Sequence, residues 1–225
     1  MVVMQIEAII YDLDGVITDT AEYHFLAWKA LADELDIPFD RSFNEQLKGL
    51  SRVDSLELIL QQSNQTYSEE EKQRLAAKKN EHYQELIQKI SQEDLLPGIE
   101  SFMKEAKQAG IKTGLASASK NAQTVIERLR VTDLLDTVVD AAKVERGKPD
   151  PEVFLTAAKQ LEAPAARCVG IEDASSGVKA IKAAGMYAVG VGEREYLAQA
   201  DWVISDTSHL ALDSLVKKVN ENKEG

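Results

Sequence analysis

Asp12 and Asp14 stand two residues apart at the end of a short apolar run, 6–11, and Gly15 follows directly. Two carboxylates this close repel each other unless a cation or a shared proton lies between them. If the run is a strand, its side chains alternate, so both acids could share one face unless the chain leaves the strand between them. Gly15 allows a sharp exit just beyond. Carboxylate oxygens suit a hard cation. The pair therefore points to a metal-assisted reaction on an anionic substrate.

Three further segments could join it. Ser117-Ala118-Ser119-Lys120-Asn121 offers small hydroxyls and backbone N–H groups at a predicted helix start, a setting that suits a phosphate, and Lys120 adds charge. The plainer role for Ser119 is an N-cap. Gly147-Lys148-Pro149-Asp150-Pro151 is held extended by its prolines, which could aim Lys148 inward rather than leave it solvated. Gly170-Ile171-Glu172-Asp173-Ala174-Ser175-Ser176-Gly177 again sets two acids at the end of an apolar run, and Asp173 is either a helix N-cap or a metal ligand. No Gly-x-x-x-x-Gly-Lys-Ser/Thr loop and no strand-borne Gly-x-Gly-x-x-Gly is present. An Asp nucleophile forming an aspartyl-phosphate is thus favoured over nucleotide binding.

The elements that must position these groups read as an α/β fold. Apolar runs at 6–11, 111–116, 137–139, 168–171, 187–191 and 202–204 are nearly unbroken, as in a parallel sheet covered on both faces. Helical patterns fall between them at 99–109, 121–129, 151–161, 175–184 and 210–219, which makes a doubly wound parallel-sheet core. The stretch from Thr20 to about Glu93 has no strand pattern and reads as helices at 21–35, near 44–48, 53–61 and 68–90. Ser68 and Glu71 form a capping box at the last start. The expected division is a catalytic α/β core over 1–19 and 91–225 with an inserted α-helical cap domain over 20–90. A cap hinged beside the acidic pair could open for substrate and close against water.

Lys and Arg number 26 against 38 Asp and Glu, a net charge of -12, which argues against a nucleic-acid partner. Local lysines can still bind a phosphate, because screening acts over roughly 8 Å. No stretch approaches the roughly 20 apolar residues of a membrane span, and no leader segment is visible. A cytoplasmic protein without a membrane partner is expected, and a monomer, since no extra interface segment stands out. Cys168, the single cysteine, lies in an apolar run and reads as a small buried hydrophobe.

The signature Asp12-x-Asp14-Gly15-x-x-Thr18, with the three later segments in the same order, resembles the haloacid dehalogenase-like phosphotransferases along essentially the whole chain. Residues 18–28, 44–52 and 115–121 are similar to that family's sugar-phosphate mutases rather than to its general phosphatases. The resemblance implies interconversion of β-D-glucose 1-phosphate and D-glucose 6-phosphate through β-D-glucose 1,6-bisphosphate. The alternative is a magnesium-dependent sugar-phosphate phosphatase, in which Asp14 would activate water. By resemblance, Asp12 is the nucleophile and Asp14 the general acid and base. Mg2+ falls to Asp12, the Asp14 backbone carbonyl, Glu172 and Asp173. Ser117 and Lys148 hold the transferring phosphoryl group; Arg52, Ser119, Lys120 and Asn121, with Ala118 beside them, hold the other phosphate. Lys48, Gly49 and Ser55 line the sugar site. His24 links substrate binding to Asp14, unless it is a solvent-facing helix histidine. Trp28 is either a wall of the cavity or core packing.

Overall fold

The computed structural model describes residues 6–47 and 50–221. The chain divides into two compact units, one running to Asp19 and resuming at Ser91, the other comprising Thr20–Ile90. Strand β1 (Ala8–Tyr11) precedes the inserted helices α1 (Ala21–Glu34), α2 (Arg41–Glu45), α3 (Arg52–Leu60) and α4 (Glu69–Leu86). The chain then continues through α5 (Ile99–Gln108), β2 (Lys112–Leu115), α6 (Ala122–Arg128), β3 (Thr137–Val138) and α7 (Glu152–Gln160). It ends with β4 (Cys168–Glu172), α8 (Ser175–Ala183), β5 (Tyr187–Val191), β6 (Trp202–Ile204) and α9 (Leu212–Glu221).

The six strands form one parallel sheet in the order β3-β2-β1-β4-β5-β6. Strand order reverses at β1, where Tyr11 lies opposite Leu115 on one side and Ile171 on the other. Open α/β sheets carry their sites at such a reversal, outside the carboxyl ends of the strands. Every residue of β1 and of β4 is buried, as a sheet with helices on both faces requires. The covering helices show the matching stripes. In α5, Ile99, Phe102, Met103 and Ala106 recur at helical spacing and are buried. On the opposite face, Val153, Phe154, Ala157 and Ala158 of α7 join Val178 and Ile181 of α8 against Ala8 and Ile10.

The helical unit has its own core, in which Trp28, Leu31 and Ala32 pack with Phe39, Leu56, Ile59 and Leu60. At the start of α4 the Ser68 hydroxyl accepts from the Glu71 N–H while the Glu71 carboxylate accepts from the Ser68 N–H, the expected capping box. The short helix expected near 44–48 is instead α2, three residues earlier. The Asp40 carboxylate accepts from the Phe43 N–H at 2.8 Å and starts the helix there. The helix expected over 68–90 leaves α geometry after Leu86 and tightens into a 3₁₀ turn over Ile87–Lys89. Among the described residues no helix is long and apolar enough to cross a membrane. Cys168 is buried, and burial pushes its thiol up to about 11, so it stays a neutral packing residue at neutral pH.

Candidate active site

β1 ends at Tyr11, and Asp12 is the first residue beyond it, its N–H donating to the Ile171 carbonyl at 3.0 Å. The chain turns at once: the Gly15 N–H donates to the Thr18 carbonyl at 2.8 Å, and the Ile17 N–H to the Leu13 carbonyl at 2.9 Å. Asp12 and Asp14 are therefore not alternate residues of one strand, because the chain leaves the strand between them. Gly15 has φ +72, and a Cβ there would lie 2.2 Å from Asp173 Oδ2. Only glycine lets the turn close against that carboxylate.

Two loops meet Asp12 at the carboxyl edge of the sheet. The ammonium of Lys148 donates to Asp12 Oδ1 at 2.7 Å and to Glu172 Oε1 at 2.6 Å, with all three residues buried. Lys148 precedes a cis peptide bond to Pro149. The second Glu172 oxygen accepts from the Ala174 N–H at 2.7 Å, so the side chain is held at both ends. A Cβ on Gly177 would come within 1.8 Å of Glu172 Oε1, so that glycine is what makes room for the acid. Sequence reasoning missed Gly177; its place one turn into the helix after the acidic pair was the available signal. One oxygen from each of Asp12, Glu172 and Asp173 lies within 4.8 Å of the others. An all-oxygen, triply acidic donor set fits a hard divalent cation.

Electrostatics inside this cluster oppose one another. Burial pushes the Asp12 carboxyl up to about 6; Lys148 pulls it back, and the neighbouring Glu172 adds to the rise. Burial also works against the charge on Lys148, but Asp12 and Glu172 outweigh it and keep the ammonium protonated. Asp12 and Glu172 thus share the one ammonium of Lys148, with Asp173 close beside them.

Beyond β2, Ser117 is buried and its hydroxyl accepts from the Ser119 N–H at 3.1 Å; the Ser119 hydroxyl in turn accepts from the Asn121 N–H at 3.2 Å. Ser119 thus turns the chain before α6 rather than capping it, since α6 begins at Ala122 with Asn121 in the cap position. Asn121 is buried, Ala118 and Ser119 are half-buried and Lys120 is exposed.

In the helical unit, Arg52 opens α3 behind the N-cap Ser51, and Ser55 on the same helix is buried. Lys48 and Gly49 lie outside the described residues. His24 stacks on Tyr83 with ring centroids 4.1 Å apart, and its Nδ1 lies 2.8 Å from Lys79 Nζ. The Lys79 ammonium is buried over the rings of Trp28 and Tyr83, at 4.6 and 4.7 Å, and the Tyr83 hydroxyl donates to Thr20 Oγ1 at 3.1 Å. With Lys79 donating to Nδ1, the proton of neutral His24 sits on Nε2. Burial first, then the charges of Lys79 and Arg52, hold the His24 pKa well below its ordinary value. His24 is therefore not a simple solvent-facing residue. Trp28 is packed in the core of this unit. Lys79 and Tyr83 were missed; they fall four apart on the stripe of α4 that is buried, where a lysine is out of place.

A buried carboxylate, a buried ammonium, a hard-cation donor set and small hydroxyls at the carboxyl edge of a doubly wound sheet are the equipment of a phosphoryl-transfer site. The family model of the haloacid dehalogenase-like hydrolases matches residues 6–185, and the chain belongs to that family. It is 52% identical over 211 residues, 93% of each chain, to the beta-phosphoglucomutase of Bacillus subtilis. It is 30% identical to the phosphorylated carbohydrates phosphatase of Thermotoga maritima, over 80% of this chain and 82% of the other. The solved beta-phosphoglucomutase of Clostridium difficile matches with a TM-score of 0.96 and 48% identity, over 98% of this chain and 100% of that one.

Proposed function

We infer that the chain interconverts β-D-glucose 1-phosphate and D-glucose 6-phosphate through β-D-glucose 1,6-bisphosphate. The observation that carries this reading is the 52% identity to a beta-phosphoglucomutase across 93% of both chains. In this reading the Asp12 carboxylate attacks the phosphorus, the bond to the sugar oxygen breaks, and an aspartyl-phosphate forms on Asp12. Asp14 gives a proton to the departing sugar oxygen and takes one from the hydroxyl that attacks next. Lys148, already seated on Asp12, neutralises charge on the phosphoryl oxygens, and Ser117 offers its hydroxyl to them. Asp12, the backbone carbonyl of Asp14, Glu172 and Asp173 would hold Mg2+, which when bound supplies positive charge to the transferring phosphoryl group.

Arg52, Ser119, Lys120 and Asn121 are proposed to hold the phosphate that is not being transferred, with Ala118 beside them. Arg52 suits that task because a guanidinium grips a phosphate with two parallel hydrogen bonds. Lys48, Gly49 and Ser55 are assigned to the sugar, and His24 is proposed to couple substrate binding to Asp14. The proposed form is a monomer acting on a small cytoplasmic sugar phosphate.

The test is to supply β-D-glucose 1-phosphate with Mg2+ and a trace of β-D-glucose 1,6-bisphosphate. Glucose 6-phosphate and free phosphate are followed together, with the α anomer as control. Fast glucose 6-phosphate formation from the β anomer alone, with little phosphate released, is expected. Phosphate release without isomerisation would make the enzyme a sugar-phosphate phosphatase.

A further inference from the structure

Lys148 sits in a stretch without regular structure between Val144 and α7. The side chain of Glu152, the first residue of α7, holds that stretch. Its Oε1 accepts the N–H of Glu145 at 2.7 Å and its Oε2 accepts the N–H of Arg146 at 2.9 Å. Asp150 supports it from within: Oδ1 accepts the N–H of Glu152 at 3.0 Å, and the Asp150 N–H donates to the Gly147 carbonyl at 3.0 Å. Residues 145–152 are thereby closed on themselves with Lys148 inside the ring. The hydrogen bond from the Glu145 amide leads the causes that hold the Glu152 carboxyl below its ordinary pKa. Arg146 also approaches Glu152 and Asp150, at 3.5 and 3.1 Å, but its side chain is 71% exposed. Exposed pairs of that kind contribute little. The two amides define the geometry.

We propose that Glu152 is a positioning residue for Lys148: by gripping the Glu145 and Arg146 amides it sets where the Lys148 ammonium rests between Asp12 and Glu172. The proposal rests on the reading of Lys148 as a phosphoryl-binding group. A lysine stem is long and has many rotamers. Meeting two acceptors at 2.7 and 2.6 Å therefore needs its backbone held close to one place. Misplacement by about 1 Å at a transfer site costs roughly a hundredfold in rate. Glu152→Gln keeps the shape but leaves one of the two amides facing an amide N–H group instead of an oxygen.

The experiment compares the magnesium-loaded wild type, Glu152→Gln, Lys148→Ala and the double variant. Glu152→Gln should lower kcat about tenfold or more with KM within about twofold, and should change the Lys148→Ala enzyme by less than about twofold. Equal losses in the two backgrounds overturn the proposal. The second readout needs no turnover: the ¹⁵Nζ ammonium resonance of Lys148, slow to exchange because it is buried between carboxylates. In Glu152→Gln that resonance should shift or broaden away, and an unchanged resonance overturns the proposal whatever substrate the enzyme uses. Failure of the mutase reading would show in the wild-type product assay and leave this resonance test intact.

Discussion

Tyr11 lies in the centre of the sheet, fully buried and edge-on to Phe102 with ring centroids 6.3 Å apart, yet its hydroxyl has no hydrogen-bond partner among the described residues. An unmade buried hydrogen bond costs about 1–3 kcal/mol, while the ring itself packs as phenylalanine would. Tyr11→Phe should therefore raise Tm by roughly 2–4 °C per kcal/mol recovered, read by calorimetry. A lower Tm would mean that a buried water satisfies the hydroxyl. At this scale the sequence was most informative where chemistry needs paired residues: Asp12, Asp14, Glu172 and Asp173 all follow apolar runs, and the structure sets them past β1 and at or just past the end of β4. It was least informative where a partner is distant. Glu152 reads as an ordinary first-turn acid, and nothing in a linear reading says that its carboxylate turns back to two upstream amides.

At the scale of elements, α4 carries a lysine where its apolar stripe should continue, and the ring of His24 on α1 supplies the acceptor. Their separation of 55 residues explains why neither side of the pair betrays the other in the sequence. The pair has a pH signature. His24 titrates near 6.5 when unfolded and well below that when folded. As pH falls through 6.5 the unfolded chain takes up a proton that the folded chain refuses, so this residue's contribution is intact above that pH and is lost below it. Between pH 7.5 and 5.5 the wild type should lose more Tm than His24→Asn does. Parallel losses would show that His24 is not held neutral. Strands and helices of the α/β unit were legible to within a few residues at each end, because burial on both faces leaves unbroken apolar runs. The start of α2 was not, because a single Asp40 hydrogen bond decides it.

For the whole molecule, the two units divide the proposed work: the α/β unit carries the reacting carboxylate and the helical unit carries Arg52. Arg52→Ala should slow the mutase reaction by roughly a hundredfold or more, the range for losing a charged group from a bound phosphate. Hydrolysis of a small phosphate donor with no far end to grip should change little. Parallel assays decide it, and equal losses would remove Arg52 from any role in holding the second phosphate. The insertion also has a temporal consequence. The central strand is made first, but Ile9 pairs with Thr113 and Val169, about a hundred and about a hundred and sixty residues later in the chain. At ribosomal speeds of about 5–20 residues per second, β1 leaves the exit tunnel many seconds before either neighbour exists. The nascent chain must therefore carry this buried apolar strand unpaired while the whole helical insertion is made.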